Sequence, residues 1–148
     1  YGVESDGVVI AYTSVYGHTE KAVNLLKAEL ENKGVKVPVF DLARWDIAEA
    51  VEDAFRYGKL VLATTTYNGD IFPFMKTFIE HLVERNFQNR TVGFIENGSW
   101  APQASRIMRG MLEQQKNLTL LDAVVKIYSA VSDKNVAEIQ ALANALLQ

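Results

Sequence analysis

Two stretches of this chain, Gly7–Thr13 and Lys59–Thr64, are strand-length apolar runs in which apolar and polar positions do not alternate. A strand with one face in water alternates, whereas a strand that does not is covered on both faces. Helices supply that cover, and a helical spacing of apolar residues follows each run. The pair therefore restricts the fold to an α/β arrangement with a mostly parallel sheet, because each crossover helix returns the chain in its original direction.

The rest of the chain fits that frame. A first helix is expected from about Thr19 to Lys33, with Ala22, Val23, Leu26 and Leu30 on one face and Gly34 as its stop. The second strand, Val35–Phe40, does alternate, and Pro38, which has no N–H, places it at a sheet edge. Asp46 can cap a short helix that turns Ile47, Val51 and Phe55 inward, and Gly58 marks the turn before the third strand. Pro73 suits the first turn of a helix facing inward through Met75, Phe78, Ile79 and Leu82, with His81 on its outer side. Thr91–Ile95 is the fourth strand. Asn97-Gly98 alone could make a hairpin, but Ile107, Met108, Met111 and Leu112 behind it indicate a strand-to-helix loop. Ala123–Tyr128 is the fifth strand. Ser132 or Asp133 then caps a last helix aligned through Val136, Ile139, Ala143 and Leu146.

In such sheets a ligand sits beyond the carboxyl ends of the strands, where strand order reverses. With strand two outside strand one, that point lies between strands one and three. Three distinctive loops leave carboxyl ends there. The first, Thr13-Ser14-Val15-Tyr16-Gly17-His18-Thr19, is a sharp strand-to-helix turn of small and hydroxyl residues, which leaves unpaired N–H groups at the positive end of a helix. It holds no lysine or arginine, so it is no Walker loop, and it lacks G-x-G-x-x-G. It suits one terminal monoester phosphate, or else it is an ordinary turn with Thr19 as N-cap. The second loop, Thr64–Asp70, and the third, Glu96–Pro102, present Tyr67 and Trp100 among glycines. Beside a phosphate loop these rings would stack a flat aromatic ligand, with Asn68, Gly69, Asn97 and Gly98 bringing backbone groups to its rim.

Composition narrows the chemistry. A chain of 148 residues that is 49% hydrophobic is one domain's worth, 1–148. With no cysteine there are no disulfides, thiolate metal sites or cysteine nucleophiles, and the two histidines, His18 and His81, are not at metal-ligand spacing. A formal charge of −3 with scattered basic residues does not suit nucleic acid, and no apolar run has the length of a membrane span. The sequons at Asn89, Asn97 and Asn117 stand without other signs of secretion, and the start is no signal peptide, so a cytoplasmic location is expected. A first residue other than methionine fits a chain cut from something longer. Asp70 and Glu96 are single carboxylates, and Ser14 and Ser99 have no nucleophile-elbow context, so the chain reads as a cofactor holder.

Ser14-Val15-Tyr16-Gly17-His18-Thr19 resembles the phosphate loop of flavodoxins, S/T-x-T-G-x-T in its common form. The tyrosine variant, together with Thr66-Tyr67-Asn68, Ile71-Phe72-Pro73 and Gly93–Pro102, is similar to the flavodoxin domain of flavodiiron proteins, in the right order and over nearly the whole chain. The resemblance implies a three-layer, flavodoxin-like sandwich with a five-stranded parallel sheet in order 2-1-3-4-5 and helices on both faces. It implies FMN bound without a covalent link, its phosphate in the loop from Thr13 to Thr19. The ring would lie between a segment holding Thr65, Thr66, Tyr67, Asn68 and Gly69 and one holding Glu96, Asn97, Gly98, Ser99 and Trp100. A backbone carbonyl at Asn68-Gly69 would then take a hydrogen bond from the reduced ring's N5.

In flavodiiron proteins such a domain passes electrons to a diiron centre in a β-lactamase-like domain, in cis or across a dimer, where O2 or NO is reduced. The implied electron donor is a rubredoxin-type protein or a reductase. Two histidines cannot hold that centre, so this chain would be the C-terminal domain alone. The chain departs from the family at His18, usually asparagine, which leaves open whether that side chain touches the phosphate or makes its affinity depend on pH, and at Thr64-Thr65, usually a small residue and proline. Its small net charge suits a tethered domain, whereas free flavodoxins are strongly acidic. The alternatives are a stand-alone flavodoxin and a small FMN-dependent reductase.

Overall fold

The computed structural model describes residues 3–14, 17–67, 70–98, 103–128 and 130–148, with Tyr67 by its backbone only. Strand β1 (Ser5–Tyr12) leads to helix α1 (His18–Glu31), β2 (Val39–Asp41) to α2 (Ile47–Arg56), and β3 (Tyr57–Tyr67) to the short β4 (Asp70–Ile71) and α3 (Pro73–Glu84). Then come β5 (Thr91–Asn97), α4 (Ala104–Leu112), the short β6 (Thr119–Leu120) and β7 (Val125–Ile127), and α5 (Asp133–Leu146). The sheet order is β2-β1-β3-β5-β6, with β7 also paired to β5, and all of these pairings are parallel. Two apolar layers sandwich it. One packs α2, α3 and α4 through Val51, Phe78, Leu82 and Met108. The other packs α1 and α5 through Val23, Leu26, Ile139 and Leu142. Val8–Ala11 and Leu60–Ala63 are fully buried, which is why neither run alternates.

The order of the main strands is the expected one, and their number is larger. The expected fifth strand, Ala123–Tyr128, is present as the shorter β7, which pairs with Ile95, Glu96 and Asn97, and β6 is an additional short strand ahead of it, paired on the same edge of β5 with Thr91 and Val92. Between them the carbonyl of Leu121 is taken by Arg109 Nη2, and that guanidinium lies 4.8 Å from the centre of the Phe94 ring. A side-chain donor thus replaces the ladder where the chain leaves the sheet. The other addition, β4, pairs antiparallel with the far end of β3, Thr66 with Ile71 and Tyr67 with Asp70.

The second strand lies at the edge, as Pro38 requires, but it is shorter than Val35–Phe40. Val8 N and Ile10 N donate to the carbonyls of Lys36 and Pro38 at 3.0 and 2.9 Å. In the register Ile10 with Val39, the amide that would answer Val8 belongs to residue 38, and proline has none.

Helix ends follow local chemistry. Asp46 caps α2 by accepting from Ala48 N at 2.9 Å. Gly34, at φ 80°, turns the chain out of α1, with Val35 N bonded to Leu30 O at 3.1 Å. Ser132 is the N-cap of α5, and its N–H donates to Asn135 Oδ1 at 3.0 Å. The inward face of α5 is turned from the expected one: Val136 is 41% exposed, and Asn135 and Leu142 are buried. Asn135 is drawn inward because its Nδ2 donates to Lys126 O at 2.7 Å. Among the described residues no helix is long and apolar enough to cross a membrane.

Candidate functional site

β1 is joined to β2 on one side and β3 on the other, so strand order reverses between β1 and β3. At their carboxyl ends the chain places a layer of buried hydroxyls and one amide. Thr13 N donates to Ala63 O at 3.0 Å, which sets Thr13 beside Thr64, and the two Oγ1 atoms are 2.5 Å apart. Thr19 Oγ1 lies 3.4 Å from Thr65 Oγ1 and accepts from Asn97 Nδ2 at 3.3 Å. Thr13, Thr19, Thr64 and Asn97 are each buried. Three adjacent strands and one helix thus meet in a single polar layer.

Helix α1 opens over this layer. It begins at His18, with Gly17 as N-cap in the left-handed region at φ 80°. The alternative with Thr19 as N-cap does not hold, because Thr19 lies inside the first turn with its hydroxyl drawn to Thr65 and Asn97. Gly17 has no side chain to cap with, and Ser14 Oγ does it instead, accepting from Glu20 N at 3.2 Å. Lys21 N bonds to Gly17 O at 3.0 Å, which leaves the N–H groups of His18 and Thr19 without a partner among the described residues. Two amides at a helix start with no partner among the described residues, beside Thr13, Ser14 and Thr19, make a candidate cradle for an anion. Residues 13–19 contain no lysine or arginine.

Below the cradle stands Tyr12, only 6% exposed. Burial, then the charges of Asp41 and Glu20, push its phenol up to about 12, with Arg44 opposing them. It therefore stays a neutral donor at physiological pH.

The other expected residues divide into two groups. Thr66 and Glu96 are turned to α4: Thr66 Oγ1 accepts from Gln103 N at 3.0 Å, and the buried Glu96 accepts at Oε1 from Ser105 N at 2.8 Å. These bonds secure the start of α4 and hence the end of the third loop. Gly98 N donates to Ile127 O at 3.1 Å, tying that loop to β7. Tyr67 closes β3. Asp70 Oδ1 accepts from Ile71 N at 2.8 Å and its Oδ2 from Lys76 at 3.2 Å, and the Ile71 N–H first, with Lys76, lowers the carboxyl's pKa. Val15, Tyr16, Asn68, Gly69, Ser99 and Trp100 lie outside the described residues, as does the Tyr67 side chain.

Two residues of this region were not assigned to the site from sequence, Thr64 and Tyr12. Thr64 stands at the same strand end as Thr65, and register with Thr13 was the signal for it. Nothing in the sequence distinguishes Tyr12 from its apolar neighbours.

A parallel sheet in this order, with helices packed on both faces, defines a flavodoxin-like α/β domain. The chain belongs to the flavodoxin-domain family, whose model matches residues 9–125. Homologues with this domain bind FMN. No curated protein matches the sequence. Among solved structures the chain is similar to rubredoxin oxygen:oxidoreductase from Desulfovibrio gigas, at 17% identity and a TM-score of 0.90, over 97% of this chain and 36% of that one. Flavodoxin 1 from Bacillus cereus matches at 16% identity and a TM-score of 0.82, over 97% of each chain. A flavo di-iron protein from Thermotoga maritima matches at 23% identity and a TM-score of 0.81, over 95% of this chain and 35% of that one. The chain thus spans about a third of the length of two of these structures.

Proposed function

We propose that residues 1–148 are one FMN-binding electron-transfer domain, and that it is the flavodoxin domain of a flavodiiron protein. The observation that carries the reading is the candidate cradle at the switch point, where the amides of His18 and Thr19 have no partner among the described residues and Thr13, Ser14 and Thr19 bring hydroxyls to the same strand and helix ends. A monoester phosphate fits it. A di- or triphosphate would call for the lysine that this turn lacks.

When bound, FMN supplies the redox chemistry, and the chain supplies binding, orientation and electrostatics. In this reading the segment from Thr13 to Thr19 holds the phosphate. The segments holding Thr65–Gly69 and Glu96–Trp100 flank the ring, with Tyr67 and Trp100 stacked on it. The anchoring of Thr66 and Glu96 to α4 limits how far those segments can move apart.

The flavodiiron half of the reading is supported by the Gly93–Pro102 segment and by the likeness to the Desulfovibrio gigas and Thermotoga maritima structures. Electrons would come from a rubredoxin-type protein or a reductase and go to a diiron site in a β-lactamase-like domain, in cis or across a dimer, for O2 or NO reduction. Among the described residues no three His, Asp or Glu side chains gather as metal ligands, so this reading places the diiron site on another domain. A cytoplasmic location belongs to the same proposal. A stand-alone flavodoxin is the second reading, favoured by the match over 97% of both chains to the Bacillus cereus flavodoxin.

A visible absorption spectrum of the purified chain tests the first step. Flavin bands with FMN released on heating are expected; a colourless protein that takes up no added FMN defeats the proposal. Steady turnover of NAD(P)H by the chain alone would point instead to a small reductase.

A further inference from the structure

Asn97 ends β5 and is 5% exposed, and its side chain does something the first loop cannot do for itself. Its Nδ2 donates to Thr19 Oγ1 at 3.3 Å, joining positions 78 residues apart. A hydroxyl has one hydrogen and two lone pairs, so an N–H on one lone pair leaves the hydrogen to be given elsewhere. One destination is Thr65 Oγ1, at the long distance of 3.4 Å. The other is an anion held at the start of α1, where the N–H groups of His18 and Thr19 have no partner among the described residues. A hydrogen bond to an ionised acceptor is shorter and about twice as strong as one between neutral groups, so an anion takes the hydrogen from Thr65.

We propose that Asn97 is a positioning residue for the phosphate: by donating to Thr19 it commits the Thr19 hydroxyl to act as donor toward the ligand. The inference rests on the FMN reading above and adds a residue that acts on the phosphate without touching it. It also couples the third loop to the first.

A double-mutant cycle tests it, with FMN and phosphate-free riboflavin titrated calorimetrically onto the apo chain. Asn97→Leu and Thr19→Val should each weaken FMN about tenfold, as loss of a hydrogen bond to a charged group does. Their combination should be no weaker than Thr19→Val alone, and Thr19→Val should change riboflavin affinity by less than about threefold. Circular dichroism checks folding, and Asn97→Ala replaces Asn97→Leu in the cycle if the latter does not fold. Losses that multiply in the double variant, or a Thr19→Val loss that is equal for riboflavin, overturn the assignment. A wild-type chain that does not prefer FMN to riboflavin overturns the phosphate reading with it; a clear preference with multiplying losses overturns this inference alone.

Discussion

Thr13 Oγ1 and Thr64 Oγ1 stand 2.5 Å apart across 51 positions of sequence, at the carboxyl ends of neighbouring strands and with residue exposures of 2% and 0%. Thr64→Val keeps the shape and leaves the Thr13 hydroxyl buried without this partner, which should cost about 1–3 kcal/mol. Adding Thr13→Val removes both polar groups and should restore much of the loss. Urea unfolding of the three variants measures it. Equal midpoints for wild type and Thr64→Val would mean that the bond contributes nothing to stability.

The layer around this pair was only partly legible in the sequence. Hydroxyl residues at two strand ends were visible, but which of them touch depends on register. Thr13 meets Thr64, and not Thr65, because Tyr12 pairs with Ala63. Elsewhere the apolar pattern gave way where a buried polar group found a partner. Asn135 replaces Val136 on the inner face of α5 to reach Lys126 O, and Arg109 takes the carbonyl of Leu121 in the gap between β6 and β7. Spacing of apolar residues carries no information about such long-range bonds. Pro38 shows the opposite case, since a missing N–H is a local property, and both the edge position and the shortened ladder follow from it.

Glycine-to-alanine substitutions at two positions should act with opposite sign. Gly17 sits at φ 80° with nothing within 4 Å of an added Cβ, so its only cost is the left-handed backbone. Gly17→Ala should destabilise by about 1 kcal/mol and weaken FMN by tilting the amides of His18 and Thr19. Gly110 lies in α4 with equally open space and an ordinary helical backbone, and Gly110→Ala should stabilise by about 0.5–1 kcal/mol. Thermal melts of both variants give the comparison. A Gly17→Ala chain as stable as wild type would mean that the turn relaxes out of the left-handed region.

Arg90 holds the other end of the sheet. It is 3% exposed and donates through Nε to Tyr57 O at 3.0 Å, through Nη1 to Gln88 O at 2.7 Å and through Nη2 to Phe55 O at 2.6 Å. Its guanidinium carbon is 5.8 Å from the centre of the Phe87 ring, and burial lowers its pKa from the ordinary value. Arg90→Met takes the donor from the carbonyls of Phe55 near the end of α2, Tyr57 at the start of β3 and Gln88 before β5, and should cost about 3 kcal/mol. FMN affinity of the folded variant should be unchanged, because Arg90 precedes β5 and the cradle lies beyond the opposite strand ends. A loss of affinity at unchanged stability would reverse this assignment of roles.

Tyr12 gives the chain a distinct alkaline limit. Its phenol is pushed up to about 12 by burial, then by Asp41 and Glu20, whereas in the unfolded chain it titrates near its ordinary value of 10.0. Below pH 10 both states keep the proton and the stability is fully present. Between pH 10 and 12 the unfolded state ionises first, so folding stability falls as pH rises toward the folded value. Two units correspond to roughly 2–3 kcal/mol, and Tyr12→Phe should remove that part of the decline. Lysines and the other tyrosines titrate in the same range, so the quantity to measure is the difference between wild type and Tyr12→Phe in urea unfolding at pH 9 and pH 11.5. Wild type should lose stability relative to Tyr12→Phe as pH rises, since only wild type loses this term. A constant difference across that range would mean that Tyr12 ionises alike in both states and that its burial relaxes at high pH.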